Sequence, residues 1–175
     1  MADQSINGFD VAGTVAFRET VRADSSRGDR HPTVVARWLG GSRSEVRCGD
    51  DVAHIGGEGE LNPMRMLLGC LAACDVDLIA MHASILGIPI EDLVVEAQGR
   101  FNVRRYLGLE GDVGPGYQEV RYVVHIRAPT ASDAQLAQLR AACERGSPVG
   151  DTLERAIPLT LEFDRGQPGP VPGRG

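Results

Sequence analysis

The feature that most constrains this chain is one long apolar segment with clear start and stop signals. Asn62 is a favourable N-cap, and Pro63 follows at the first helical position, where proline is best tolerated. Over residues 64–86, apolar side chains recur mostly at steps of three and four, and Gly87 supplies a stop. A helix of this length spans roughly 30 Å, the diameter of a small domain. Because apolar side chains cover nearly the whole circumference of this helix, we expect it at the centre of the fold.

The segments on either side of this helix predict strands and further helices. Alternating apolar and polar side chains predict six strands. These lie at residues 14–18, 34–38, 44–48, 93–103, 118–128 and 157–163. A second helix is predicted over residues 132–145, and Ser147-Pro148 starts a short one. The glycine-rich residues 56–61 and 108–116 are expected to be loops. This order of elements predicts an α+β fold with a mostly antiparallel sheet.

Length and composition predict one domain and exclude several classes of protein. The chain has 175 residues, and we expect a single domain over 9–165 with poorly ordered residues at 1–8 and 166–175. A net charge of −6 argues against a nucleic-acid partner. No run of 18 apolar residues occurs, so no membrane span is expected. The start of the chain lacks the features of a secretory signal, which favours a cytoplasmic location.

The cysteines and histidines show no spacing typical of a metal site. The four cysteines, at positions 48, 70, 74 and 143, form no Cys-x-x-Cys pair, and the four histidines have no paired spacing. Signatures for binding nucleotides and dinucleotides are absent as well. We therefore expect no metal and no cofactor. Thiol chemistry, if present, depends on a single cysteine that its surroundings activate.

Cys74 is the cysteine with the most informative position. It lies on the apolar stripe of the long helix, where a cysteine is ordinarily a small buried hydrophobic residue. A reactive thiolate there needs a nearby cation, because the effect of the helix N-terminus has faded by that point. The arginine-rich stretch before the helix is the available source, with Arg18, Arg22, Arg27 and Arg30 as candidates. Cys143 is expected in the core.

Two segments together resemble the OsmC/Ohr family. Residues 62–74 (NPMRMLLGCLAAC) are similar to its helix signature, and residues 147–153 (SPVGDTL) are similar to its second signature, a Cys-Pro turn that opens a short helix. The resemblance implies an OsmC-like fold with a long central helix in an intertwined homodimer, with sites at the subunit interface. Members reduce organic hydroperoxides with a peroxidatic cysteine and a resolving cysteine, which dithiols regenerate. An arginine and a glutamate activate the first cysteine.

The resemblance assigns roles to only some positions of this chain. Cys74 stands at the peroxidatic position, but Ser147 stands where the resolving cysteine is expected, and a hydroxyl cannot form a disulfide. Met64 replaces the activating glutamate, so Glu60, or its neighbour Glu58, is the candidate substitute. The activating arginine is expected after the first strand, where Arg22, Arg27 and Arg30 remain alternatives.

These assignments leave two main functional hypotheses. The first is thiol-dependent reduction of organic hydroperoxides by Cys74 in a one-cysteine manner, in oxidative stress defence, with an external thiol as reductant. The alternative is a dimeric module that has lost this activity and binds a small apolar ligand in a pocket lined by Met64, Leu67, Leu71 and Cys74. Attack by Cys74 on an ester or thioester is a third hypothesis, for which no supporting histidine can be placed.

Overall fold

The computed structural model describes residues 5–155 and 157–161, which form seven strands and four α-helices. The strands are β1 (Ser5–Ile6), β2 (Phe9–Asp10), β3 (Val35–Gly40), β4 (Arg43–Cys48), β5 (Asp51–Ile55), β6 (Asp92–Phe101) and β7 (Tyr117–Arg127). The helices are α1 (Val11–Ala23), α2 (Pro63–Ile85), α3 (Asp133–Gly146) and α4 (Pro148–Glu154), with a 3₁₀ turn at Ser25–Gly28. This is an α+β architecture in which every strand pair is antiparallel.

The described strands form three separate antiparallel sheets. β1 and β2 make a short hairpin, β3, β4 and β5 form a meander, and β6 pairs with β7 over ten positions. The long helix α2 contacts β6, α3 and α4. The meander differs, since none of its residues is buried. Within the described residues, therefore, the core lies where α2 and α3 pack against the β6–β7 ribbon.

The ends of α2 are where the sequence predicts them. The Asn62 side chain accepts a hydrogen bond from the backbone N–H of Arg65 at 2.9 Å, and Pro63 occupies the first turn. At the other end, Gly87 has a φ of +71°, the left-handed conformation that commonly ends a helix. The backbone N–H of Ile88 then donates to Ala83 at 2.8 Å. The structure therefore confirms the long helix that these local signals predict.

The core packs around the second half of α2. Its buried members come from α2, the turn after it and α3: Leu78, Ile79, Ala83, Ile88, Leu139 and Cys143. By length and mean hydropathy alone (1.6 over its most apolar window), α2 could also cross a membrane, a test that core helices pass too. Only 22% of that window is buried within the described chain. The first half of α2 therefore has apolar surface left uncovered.

The predicted strand at residues 14–18 is wrong, because these residues belong to helix α1. Asp10 caps this helix by accepting a hydrogen bond from the backbone N–H of Gly13 at 2.9 Å. Val11, Thr14 and Val15 are partly buried, a spacing of three and four residues that places them on one helical face. The alternation of Val15 and Phe17 with polar neighbours covered too few residues to distinguish the two periods.

The start of the described chain differs from the expectation of poor order at residues 1–8. Asn7 and Gly8 have φ values of +54° and +81° and turn β1 back onto β2. The Asn7 side chain donates to the carbonyl of Ile88 at 3.0 Å and accepts from the N–H of Ile90 at 2.9 Å. This turn is thereby attached to the end of α2. Residues 1–4 and 166–175 lie outside the described part.

Two further differences concern strands. The sequence-based prediction missed β5 (Asp51–Ile55), which pairs with β4 to complete the meander. The strand predicted at residues 157–163 does not form over 157–161, which lack regular structure, and the rest of that prediction lies outside the described residues. The strands predicted at 34–38, 44–48, 93–103 and 118–128 and the helix at 132–145 are confirmed to within a few residues.

Candidate functional site

The site is built around Cys74 on α2 and Ser147 at the start of α4. The Ser147 hydroxyl lies 4.0 Å from the Cys74 sulfur and donates to it. Cys74 is partly buried, whereas Ser147 is only 5% exposed. The cysteines at positions 48, 70, 74 and 143 are all free. Cys74 and Ser147 are 73 positions apart in the sequence and belong to two separate motifs, and the fold brings them together.

Ser147 is held in place because it caps α4. Its hydroxyl oxygen accepts a hydrogen bond from the backbone N–H of Gly150 at 3.1 Å, and Pro148 occupies the first turn of that helix. A serine hydroxyl has one proton to donate and two lone pairs that accept. With a lone pair occupied by Gly150, the proton remains available for the Cys74 sulfur. The local capping signal thus fixes a hydrogen-bond donor on the thiol.

A cavity of about 840 Å³ opens beside this pair. Its apolar wall includes Met64, Leu67 and Leu71 from α2, and Ser147 also lines it. Cys74 is not among the lining residues, so it adjoins the cavity through Ser147. The apolar wall includes three of the four residues proposed for a ligand pocket. The rest of the lining includes charged side chains, among them Glu144, Arg145 and Asp151. A concave space with an apolar wall and polar groups around it suits a small organic molecule.

Tyrosines of β7 form the opposite wall of the cavity. The Tyr117 hydroxyl donates to the backbone carbonyl of Met64 at 2.7 Å and so ties β7 to the first turn of α2. Its ring lies over Gly99, where a Cβ would come within 2.5 Å of the ring. Tyr122 lines the same cavity deeper along the strand. Neither tyrosine stands out in the sequence, because only the pairing of β6 with β7 and its packing on α2 brings them to the site.

A second group of polar side chains includes Tyr122 and Cys143, which line the cavity, and the buried Asp75. Asp75 follows Cys74 on α2 and is 0% exposed, and the Tyr122 hydroxyl approaches its carboxyl as a donor without reaching the geometry of a full hydrogen bond. Burial, followed by the charge of Asp75, raises the pKa of the Tyr122 phenol. The same two causes, in the same order, raise the pKa of the Cys143 thiol to about 11. In the sequence, this group could be found from Asp75, a carboxyl that stands among the apolar residues of the long helix.

The other predicted site residues have partners other than Cys74 within the described residues. Arg22, in the last turn of α1, pairs with Glu19. Arg30 donates to the backbone carbonyls of residues 27 and 29, and its guanidinium lies 5.5 Å from the centre of the Phe17 ring. Among the residues that the structure describes, no arginine forms a hydrogen bond with Cys74. The activating arginine therefore stays a prediction.

Glu60 is likewise engaged before α2 begins. Its carboxylate accepts a hydrogen bond from the N–H of Gly57 at 2.8 Å and forms an ion pair with Arg43 at 3.0 Å. The hydrogen bond from Gly57 and the neighbouring Arg43 hold the Glu60 pKa below its usual range, against a smaller opposing effect of desolvation. Glu60 thus stabilises the glycine-rich loop. Within the described chain, no group of three or more metal-ligating side chains has the arrangement of a metal site.

This chain matches one protein family in sequence and several solved structures in fold. The family described as OsmC-like protein matches residues 56–162. Among solved structures, an OsmC-like protein from Mycoplasma pneumoniae superposes with a TM-score of 0.61 at 18% identity, over 72% of this chain and 89% of that chain. An OsmC-like protein of unknown function from Vibrio cholerae gives 0.56 at 10% identity, over 72% and 95%. No curated protein matches.

These similarities agree with the architecture and the site motifs described above. The matched region contains α2, the β6–β7 ribbon, α3 and α4, and therefore all the residues that meet at Cys74. At identities of 10–18%, the superpositions support the fold alone. Since the family match covers more than half of the residues, this chain is a member of the OsmC-like protein family.

Proposed function

We propose that this protein reduces organic hydroperoxides through Cys74, using one cysteine of its own and an external thiol. The observation that carries the proposal is the Ser147 hydroxyl directed at the Cys74 sulfur beside a cavity whose α2 wall is apolar. The thiolate is the nucleophilic form of cysteine, and the Ser147 hydroxyl is placed to donate to its sulfur. The apolar wall favours an organic peroxide over hydrogen peroxide. Membership of the OsmC-like family supports a redox role at this position.

The proposed reaction needs no second cysteine. The Cys74 thiolate attacks the terminal oxygen of ROOH, the O–O bond breaks, and the leaving alkoxide takes a proton to become ROH. Cys74 is then a sulfenic acid, which an external thiol converts to a mixed disulfide with release of water. A second external thiol attacks this disulfide and returns Cys74 to the thiol. One hydroperoxide is reduced, two external thiols are oxidised, and the reducing cytoplasm expected from the sequence contains such thiols.

We further propose that the active form is a homodimer in which the partner protomer completes the site. Two observations support a second copy as the occupant of the uncovered surface. The β3–β5 meander has no buried residue, and Trp38 within it is 73% exposed. The first half of α2 carries exposed apolar side chains such as Leu67. A sheet and an apolar helix of this kind require a covering layer. The missing guanidinium for Cys74 then comes from Arg22, Arg27 or Arg30 of the second copy.

The test is peroxide consumption with cumene hydroperoxide and a dithiol. Cys74→Ser is expected to abolish turnover, while Cys70→Ser, which changes an exposed cysteine one helical turn earlier, is the matched control and is expected to retain it. A reagent specific for sulfenic acids should label Cys74 after one equivalent of peroxide. Equal turnover by wild type and Cys74→Ser would remove Cys74 from the mechanism.

The alternative, a binding module without peroxidase activity, is favoured by one observation. Within the described residues, no cation forms a hydrogen bond with Cys74, and the Ser147 hydroxyl is the polar group that contacts its sulfur. If Cys74 titrates near the ordinary cysteine value of about 8.5 in the dimer and an apolar ligand raises the melting temperature, binding is the function. Absence of turnover together with such a ligand effect would select this alternative.

A further inference from the structure

The hydroxyl of Ser147 has a fixed direction in which it can donate its proton. Its oxygen accepts a hydrogen bond from the backbone N–H of Gly150 at 3.1 Å, so the proton points away from that group. The acceptor that it faces is the Cys74 sulfur, 4.0 Å away. Ser147 is 5% exposed, so packing and the cap of α4 hold the hydroxyl in place before any substrate enters.

The distance between the Ser147 oxygen and the Cys74 sulfur suits a further oxygen atom between them. At 4.0 Å, the hydroxyl makes only a long contact with the sulfur. A hydrogen bond between two oxygens is about 2.7 Å long, and a sulfur–oxygen bond is shorter than the roughly 2.05 Å of a disulfide. An oxygen bonded to the sulfur on the side of Ser147 therefore lies within hydrogen-bond distance of the hydroxyl, in a bent arrangement, without movement of either side chain.

The cavity lies on the side of Cys74 where such an oxygen is delivered. Ser147 lines the cavity, and Cys74 adjoins it through Ser147. A hydroperoxide in the cavity therefore brings its terminal oxygen to the sulfur past the Ser147 hydroxyl. Within the described residues, this hydroxyl is the hydrogen-bond donor that contacts the Cys74 sulfur.

We propose that Ser147 is a further catalytic residue, whose hydroxyl holds the sulfenic oxygen of oxidised Cys74 and assists its departure as water. The sulfur of the external thiol attacks the Cys74 sulfur, so that the S–S bond forms and the S–O bond breaks. The proton of the attacking thiol goes to the leaving oxygen, while the Ser147 hydroxyl donates a hydrogen bond to that oxygen and keeps its own proton. This inference rests on the proposed function and deepens it, because it gives the serine that stands in place of a resolving cysteine a part in the reductive step.

The experiment measures the two half-reactions separately in the intact protein. One equivalent of cumene hydroperoxide oxidises Cys74, and a reagent specific for sulfenic acids reports the rate of this oxidative step. Addition of 2-mercaptoethanol then converts the sulfenic acid to a mixed disulfide. Rapid quenching and peptide mass spectrometry report the rate of this reductive step at Cys74.

Two variants separate the hydroxyl of Ser147 from its role as a cap. Ser147→Gly and Ser147→Ala both remove the hydroxyl, but glycine is nearly as good an N-cap as serine and alanine is not. Both should slow the reductive step about tenfold, less than the loss of an oxyanion-hole donor costs, because the attacking thiol also supplies a proton. The oxidative step should change less, since its leaving alkoxide departs on the side of the transferred oxygen that faces away from the sulfur.

Two further variants serve as controls. Ser147→Thr keeps both the hydroxyl and the cap and should retain the reductive rate. Ser132→Gly makes the same change as Ser147→Gly at the N-cap of α3, and it should leave both rates unchanged.

Three results would overturn the proposal. They are equal reductive rates in wild type, Ser147→Gly and Ser147→Ala, a slowing confined to Ser147→Ala, which assigns the effect to the cap, and a Ser147→Thr protein as slow as Ser147→Gly. A wild type that forms no sulfenic acid with peroxide refutes the proposed function and this inference with it. Unchanged reductive rates, in contrast, refute only the role of Ser147 and leave the oxidation of Cys74 intact.

Discussion

Replacing Ser147 by cysteine should convert the one-cysteine site into one that forms a disulfide. The Ser147 oxygen lies 4.0 Å from the Cys74 sulfur, and a disulfide requires the two sulfurs to come within about 2.05 Å. Forming the disulfide therefore requires a side-chain rotation that brings the atoms at the ends of the two side chains about 2 Å closer together. In the reduced Ser147→Cys protein, α4 loses its cap, at a cost of about 1 kcal/mol.

The oxidised variant should be more stable than the reduced one by an amount that follows from the length of the closed loop. A disulfide that closes the loop from residue 74 to residue 147 lowers the entropy of the unfolded chain. In the chain-entropy treatment, this destabilises the unfolded state by about 4 kcal/mol. For a chain of this size, 1 kcal/mol shifts the melting temperature by roughly 2–4 °C. Oxidation of the Ser147→Cys protein should therefore raise its melting temperature by roughly 8–16 °C.

The assay combines thiol counting, peptide mass spectrometry and thermal melting before and after one equivalent of cumene hydroperoxide. The double variant that also carries Cys74→Ser is the control, and its melting temperature should not respond to oxidation. If the Ser147→Cys protein is folded and oxidised but contains no disulfide between positions 74 and 147, then the two positions are not neighbours in solution. That result would refute both the site geometry and the role assigned to Ser147.

Three further outcomes follow from the structure. Asn7→Ala removes side-chain hydrogen bonds to Ser84, Ile88 and Ile90 and should lower the free energy of unfolding by about 2–4 kcal/mol; a urea-unfolding loss below about 0.5 kcal/mol would contradict it. The raised pKa of Cys143, about 11 in the folded state, makes the fold less stable as the pH rises from about 9 to 11. Cys143→Ala should flatten that decline in denaturant midpoints, and Cys48→Ala should not. Leu67→Glu should convert the proposed dimer to monomers in native mass spectrometry, and an unchanged mass would exclude this face of α2 from the interface.

Local signals in the sequence predicted the helices that matter for the site. Asn62-Pro63 and Gly87 bound α2, and Ser147-Pro148 starts α4, because caps, proline and glycine act within a few residues of themselves. The Asn7-Gly8 pair is equally local and signals a hairpin, although the polar start of the chain had led us to expect poor order there. Cys74 and Ser147 were selected because both lie in motifs that resemble one family. Their 4.0 Å separation follows from the fold.

Other features depend on contacts between distant segments and so could not be predicted locally. Residues 14–18 alternate like a strand, yet the Asp10 cap and partial burial on one face make them part of α1. Arg22, Arg30 and Glu60 were suitable in type, but each has a partner away from Cys74 within the protomer. Charged side chains are long and accept many partners, so their residue types do not determine which ion pair forms.

By itself, then, the sequence determined where the helices begin and end, which family the chain resembles, and which cysteine to examine. Only the tertiary structure decided that the Ser147 hydroxyl meets the Cys74 sulfur, that a cavity opens beside them, and that Asp75 is buried. The physical reason is the distance along the chain over which each kind of interaction acts. Capping and periodicity act over a few residues of chain, whereas desolvation and hydrogen bonding at the site depend on side chains that packing brings together from α2, β7, α3 and α4.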